Sequence, residues 1–464
     1  MATHQKLNKR GGGSYHLPFL LTKKWVIQLK FSLNEKQLGY LMVAPALILV
    51  ILVTLWPVAQ SFYNSLFDYR LNDPSRSERF LQSNMDLERY ANDYFYLSRD
   101  LGDLAGQSPD DAAAVNEIRE GIETYHEELL AMDGVGEQYE EVETLIASFT
   151  AISDRDLKYA KVENEWAGDY KEFLATAQED LLALAEGSSD EAVTTTASNV
   201  AGSIESTNKA IIESNFIGLN NYSRYLQDGR MWQSLSNTFV FTIVSVGVEL
   251  ILGLAIALLI NRTFSGRGIV RASVLIPWAI PTAVAAMMWG FLYDGQTGIV
   301  AHYFEQFGLI KDASVLLSTS AGGMFSVIFA DVWKTTPYMA LLLLAGLQTI
   351  PGSLYEAAEV DGASKWQQFW KVTLPLLKSA ILVALLFRTL DAFRVFDLIY
   401  VLTGGGPANS TESISIYAYI TLFSQQNFGA GSVLSVIVFL CVALLSTLFI
   451  KFIGSDLFAG RSNR

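Results

Sequence analysis

The chain has 464 residues, 51% of them hydrophobic and only 17% charged, and its mean hydropathy is positive although its pI lies near 4.8. The formal charge of −14 is uneven: residues 59–232 hold 34 Asp and Glu against 13 Lys and Arg, a net of −21, and the rest of the chain is net +7. A membrane protein with one separate acidic segment accounts for both properties; that acidity makes no case for nucleic acid, and a single Cys441 excludes a disulfide framework or a Cys-cluster metal site.

Residues 1–38 read as a basic cytoplasmic tail carrying Lys6, Lys9, Arg10, Lys23, Lys24, Lys30 and Lys36. Six apolar stretches follow, near 39–58, 237–260, 270–293, 325–347, 379–402 and 432–453, each long enough to cross roughly 30 Å of hydrocarbon at about 1.5 Å per residue. The first apolar run is too long for a signal peptide, and no small-residue cleavage site follows it in VAQSFYNSLF, so it reads as an uncleaved span. Positive charge resists translocation. Arg262, Arg267 and Arg271 follow the second stretch, Lys365, Lys371 and Lys378 follow the fourth, and Lys451, Arg461 and Arg464 end the chain. The loop after the third has only Lys311, and 403–431 has no Lys or Arg. Both termini are therefore expected in the cytoplasm, with 59–232 outside and 454–464 a cytoplasmic tail.

Within the outer insertion, AVNEIREGIETYHEELLAM and DYKEFLATAQEDLLALAEG carry apolar residues at helical spacing, and GQSPDD, MDGVGE and EGSSD read as separators. The expectation is a small helical bundle, either a contact for a soluble partner or a spacer. Pro277 and Pro281 should interrupt the third span, which a bilayer tolerates where protein or a water-filled cavity surrounds the break. In the fourth, Asp331, Lys334, Thr335 and Tyr338 fall near one face, either as a polar path or as a salt-bridged seam. Tyr338 could stack on a sugar ring.

Between spans 4 and 5, residues 351–377 read PGSLYEAAEVDGASKWQQFWKVTLPLL. Ser353 and Glu356 have the spacing of a capping box, Gly362 can take the positive φ that ends a helix, and Ser364 can begin a second helix. Pro375 would then set the approach to span 5. That span carries Arg388, Asp391, Arg394 and Asp397 three residues apart. A central charge costs roughly 2.5–3.5 kcal/mol against about 0.3–0.6 returned per Leu, Ile or Phe, so these four should face protein or water. On a continuous helix Arg388 and Asp397 would lie on opposite faces, with Arg388 deepest, Asp397 near the outer mouth and only part of the set on any one pathway. Arg388 and Asp391 would then approach the path, Glu249 at mid-depth in span 2 could pair with Arg388, and Arg394 could pair with Asp397.

EAAEVDGA followed by LPLL resembles the EAA loop of binding-protein-dependent ABC importer permeases. The likeness runs from about Phe216 to Ile453 and includes FIGLNNYSRYL, NTFVF, LIPWAIP, WKTTPY and LTGGGP, patterns similar to the sugar-importing branch and its larger maltose-transporter membrane subunit. It implies an all-α membrane protein with a permease core over 233–453, to which the chain's own helical spacing adds a mainly helical insertion over 59–232. Glu356, Ala357, Ala358, Asp361, Gly362, Ala363, Leu374 and Pro375 would form the coupling knob. Trp278, Thr282, Asp331, Lys334, Thr335, Tyr338, Arg388, Asp391, Ala392 and Val395 would match the family's sugar-lining places, although the side chains differ at most of them. The maltose subunit has two further N-terminal spans, and its outer domain is mainly strand.

The resemblance also implies a second permease subunit, two cytoplasmic ATP-binding subunits that use ATP and Mg, and an extracytoplasmic sugar-binding protein. The chain itself would be no enzyme: it has no G-x-x-x-x-G-K-[ST] phosphate loop. A disaccharide or α-glucoside such as maltose or trehalose is the expected cargo, with glycerol phosphate or another polyol derivative as the alternative. An ion-coupled carrier or a membrane receptor would be the other classes; the short cytoplasmic loops leave no room for a signalling module.

Overall fold

The computed structural model describes residues 34–459, in two compact units, 1–57 and 58–464. Most of the tail expected at the N-terminus, and Arg461 with Arg464, lie outside the described residues. By length and composition, five helices among the described residues could cross a membrane: Lys36–Asn64, Gly229–Asn261, Ser320–Leu347, Lys365–Phe393 and Phe428–Phe452. They correspond to spans 1, 2, 4, 5 and 6.

The sixth candidate is a broken pair, Arg267–Ala279 and Thr282–Leu292, bent by 88°. Pro277 is accommodated inside the first half, while Ile280, immediately before Pro281, is extended at ψ 132°. The proline ring disfavours helical backbone at the residue preceding it, which places the break.

Residues 84–212 form a helical body with a small three-stranded antiparallel sheet, in which Asn84–Asp86 pairs with Tyr159–Lys161 on one side and Ile211–Ile212 on the other. Five helices of 13 or more residues make up most of it: Leu87–Gln107, Ala112–Ala131, Val135–Ala147, Asn164–Gly187 and Glu191–Ala210. Leu97, Leu101 and Leu104 recur on one helix face and are fully buried with Tyr90, Tyr170, Leu174 and Leu181. The acidic residues stand on the opposite faces, which is why so charged a segment can still close a core.

Spans 2, 4 and 5 pack closely through small residues. A Cβ on Gly253 would stand 2.8 Å from Met339 Cγ, and one on Gly346 would stand 2.4 Å from Ala380 Cβ. Lipid supplies no hydrophobic drive between such helices, so close backbone approach is what holds them.

Three expectations are corrected around span 5. The helix does not continue to 402: it ends at Phe393, Arg394 closes it, Phe396 is non-helical at φ −136° and ψ −66°, and a separate helix covers Asp397–Leu402. At its other end it is continuous with the second loop helix, running from Lys365 with a π turn at Phe369–Thr373 just before Pro375. The widened turn carries the proline's missing donor, so Pro375 interrupts nothing. The capping box is also not at Ser353, because the helix starts at Gly352 after an extended Pro351 and leaves Ser353 inside the first turn. It forms at Ser364 and Gln367 instead.

Candidate functional site

Spans 2, 4 and 5 meet on a buried charge network. Arg388, 1% exposed, donates from Nε to Glu249 Oε2 at 2.6 Å and from Nη2 to Glu249 Oε1 at 2.9 Å. The same guanidinium bonds the Asp331 carboxylate, and its Nη1 reaches Asp391 Oδ2 at 3.3 Å. Thr335 Oγ1 lies 2.7 Å from Glu249 Oε1 and 2.6 Å from the Asp331 carbonyl oxygen. The planar guanidinium makes four hydrogen bonds to three carboxylates, one of them bidentate, where a lysine ammonium has only three donors. The Glu249–Arg388 pairing expected from matching depth is thus present, with Asp331 as a second partner.

Against this network lies a cavity of about 330 Å³. Nine of the ten residues placed on the path from sequence line it: Trp278, Thr282, Asp331, Lys334, Thr335, Arg388, Asp391, Ala392 and Val395. Tyr338 is outside the lining; its ring stacks on Trp278 at 5.5 Å and 16°, behind the exposed indole. Lys334 is 8% exposed and makes no side-chain hydrogen bond or ion pair among the described residues. Its charge faces Asp331 and Asp391. An ammonium on the cavity wall with open donor positions seeks an acceptor in the cavity.

All four charged residues of the span 5 series line this cavity, including Arg394 and Asp397. The helical-wheel expectation that they would part to opposite faces fails because the helix ends between Asp391 and Asp397. Nor do Arg394 and Asp397 pair: Arg394 Nη2 lies 3.9 Å from Asp391 Oδ1. Phe396 and Leu398 also line the cavity and were missed. No Gly or Pro marks this break, and the density of charges in DAFRVFD is the one signal that pointed to it.

The loop 351–377 forms a compact knob. Gly362 takes φ +78°, and Ala363 N–H donates to Ala358 O at 2.9 Å, closing the Gly352–Val360 helix. Ser364 N–H donates to Gln367 Oε1 at 2.8 Å and Ser364 Oγ accepts from Gln367 N–H at 3.3 Å, starting the next helix. Tyr355 OH meets Thr373 Oγ1 at 3.0 Å, and Lys365 pairs with Glu359, so the two helices are fastened at both ends. Glu356, Ala357, Asp361, Gly362 and Pro375 are exposed, Ala358, Ala363 and Leu374 half-buried, and Trp366 and Trp370 stand out at 69% and 50% exposure. No group of three or more metal-ligating side chains occurs among the described residues.

A family model described as "Binding-protein-dependent transport system inner membrane component" matches residues 249–457. The trehalose transport system permease protein SugA of Mycobacterium tuberculosis is 50% identical over 240 residues, 52% of this chain and 76% of that protein. The trehalose/maltose transport system permease protein MalF of Thermococcus litoralis is 46% identical over 241 residues, 52% of this chain and 81% of that one. Among solved structures, a chain of a bacterial ABC transporter involved in the import of the acidic polysaccharide alginate aligns with a TM-score of 0.47 at 23% identity, covering 52% of this chain and 84% of that chain.

Proposed function

Because the chain belongs to the binding-protein-dependent transport system inner membrane components, we propose that it is one of two permease subunits of an ATP-driven sugar importer and that its charged cavity is its half of the sugar path. Names of the relatives support a disaccharide or α-glucoside such as trehalose or maltose. The observation that carries the reading is the lining itself: an indole face backed by Tyr338, a lone ammonium from Lys334, and the carboxylates of Asp391 and Asp397. A sugar offers CH faces to the ring and hydroxyls that both accept and donate. Arg388 is already occupied by Glu249, Asp331 and Asp391, so in the glycerol phosphate alternative Lys334, not Arg388, would meet the anion.

In this proposal the insertion lies outside the cytoplasmic membrane and both termini lie inside. A loaded sugar-binding protein docks on the outer side. Two cytoplasmic subunits close on ATP with Mg and move the 351–377 knob, whose exposed Glu356, Ala357 and Asp361 meet them. Because Lys365–Phe393 is one unbroken helix, displacement of the knob is transmitted along it to Arg388 and Asp391. The cavity then opens to the other side. This chain forms and breaks no covalent bond.

The test is uptake by the purified assembly in vesicles with its binding protein. Replacing Gly362 by Val should abolish sugar-stimulated ATP hydrolysis while the complex still assembles; undiminished stimulation would remove the knob from the coupling path.

A further inference from the structure

We propose that the cavity walled by Tyr63, Arg79, Arg155 and Lys161 binds a phosphate-bearing anion, presented by the headgroup of an anionic lipid. The site is separate from the sugar path and stands whether or not that reading does. Its setting is unusual: residues 59–232 are net −21, yet this cavity of about 290 Å³ gathers three cations and one carboxylate, Asp156.

The cations are held in different ways that leave donors open. Arg79 lies over the Tyr63 and Tyr69 rings at 5.6 and 5.5 Å and donates from Nη1 to Asn64 Oδ1 at 2.8 Å. Arg155 lies over Phe80 at 5.4 Å, with Nε 3.1 Å from Glu78 Oε2 and Nη2 donating to the Arg79 carbonyl oxygen at 3.4 Å, which leaves Nη1 open. Stacking fixes the plane of each guanidinium, and the N–H groups left over, Arg79 Nε and Nη2 with Arg155 Nη1, are the donors a phosphate would take. Lys161 sits at the end of the Tyr159–Lys161 strand, and its exposed side chain makes no hydrogen bond or ion pair among the described residues.

Position selects the source of the anion. Tyr63 is one residue from the end of the candidate span Lys36–Asn64, and Leu81 on the cavity wall is 63% exposed. Aromatic rings at a span end sit at headgroup depth, which brings the neighbouring guanidiniums to the level of the lipid phosphates. An exposed leucine beside the cations suits the first carbons of an acyl chain.

The experiment uses the full assembly in detergent, with phosphatidylglycerol, phosphatidylcholine and inorganic phosphate as probes, bound lipid being read by native mass spectrometry. Wild type should retain phosphatidylglycerol over phosphatidylcholine, and R155Q/K161Q should lose about tenfold or more of that retention. Retention that survives millimolar phosphate assigns the site to lipid; binding of phosphate at the same residues without a lipid preference assigns the shared chemistry to a free anion. Equal retention of both lipids with no phosphate binding overturns the proposal, as does unchanged binding in R155Q/K161Q. K161Q alone, at a side chain with no partner, keeps the test readable if the double variant unfolds.

Discussion

Glu249 and Arg388, 139 residues apart in sequence, share a bidentate ion pair in which neither side chain is more than 2% exposed. Breaking such a pair from one side strands a buried charge, which typically costs about 3–5 kcal/mol. Arg388→Met should therefore lower the unfolding midpoint of the purified assembly sharply. Adding Glu249→Met should cost less than the sum of the two changes, by roughly 0.5–3 kcal/mol. Additive losses in a thermal melt would mean that the two side chains do not act as one unit.

Lys334 should matter to affinity more than to folding. The residue is only 8% exposed, and its ammonium, on the cavity wall, makes no hydrogen bond or ion pair among the described residues. A hydrogen bond to a charged group contributes about 1.5–3 kcal/mol, so Lys334→Met should raise the KM for uptake roughly 10- to 150-fold. An unchanged KM with lowered stability would place Lys334 in a packing seam instead.

Ser364 caps the second loop helix through its reciprocal bonds with Gln367. Ser364→Ala should cost about 0.5–2 kcal/mol of local stability and speed amide exchange at residues 365–368. Ser353→Ala, inside the first turn of its helix, should leave exchange in the Gly352–Val360 helix unchanged.

His126 makes the acidic helical body sensitive to acid. Its ring stacks on Tyr94 at 3.8 Å, its Nδ1 lies 3.2 Å from Tyr90 OH, and burial holds its pKa below the usual 6.5. The unfolded chain then binds the proton more readily than the folded one, so stability is complete above about pH 6.5 and falls as pH drops through that value. Melts of the assembly between pH 8 and pH 5 should show this fall, and His126→Gln should flatten the slope attributable to this residue. The same slope in the variant would assign the sensitivity elsewhere.

The family and the helical class were legible because they rest on local signals. EAAEVDGA, LIPWAIP and LTGGGP carry their meaning in residue type and spacing, and Gly362 and Pro281 act on the backbone where they stand. The cavity lining was legible wherever periodicity continued, as for Asp331, Lys334 and Thr335. What escaped were events set by tertiary packing. The helix end at Phe393 has no proline or glycine behind it, and it alone brings Arg394 and Asp397 to the same cavity as Arg388. Joining the second loop helix to span 5 likewise needed a π turn before Pro375, which sequence periodicity does not register.

The most direct measurement is uptake of radiolabelled trehalose and maltose by vesicles holding the complete assembly, with ATP inside and the binding protein outside. ATP-dependent accumulation of at least one of the two sugars is expected, surviving an ionophore that collapses proton and sodium gradients, and Asp391→Asn should reduce the uptake of that sugar. Accumulation that persists without ATP and stops with the ionophore would make the chain an ion-coupled carrier and overturn its place in an ATP-driven importer.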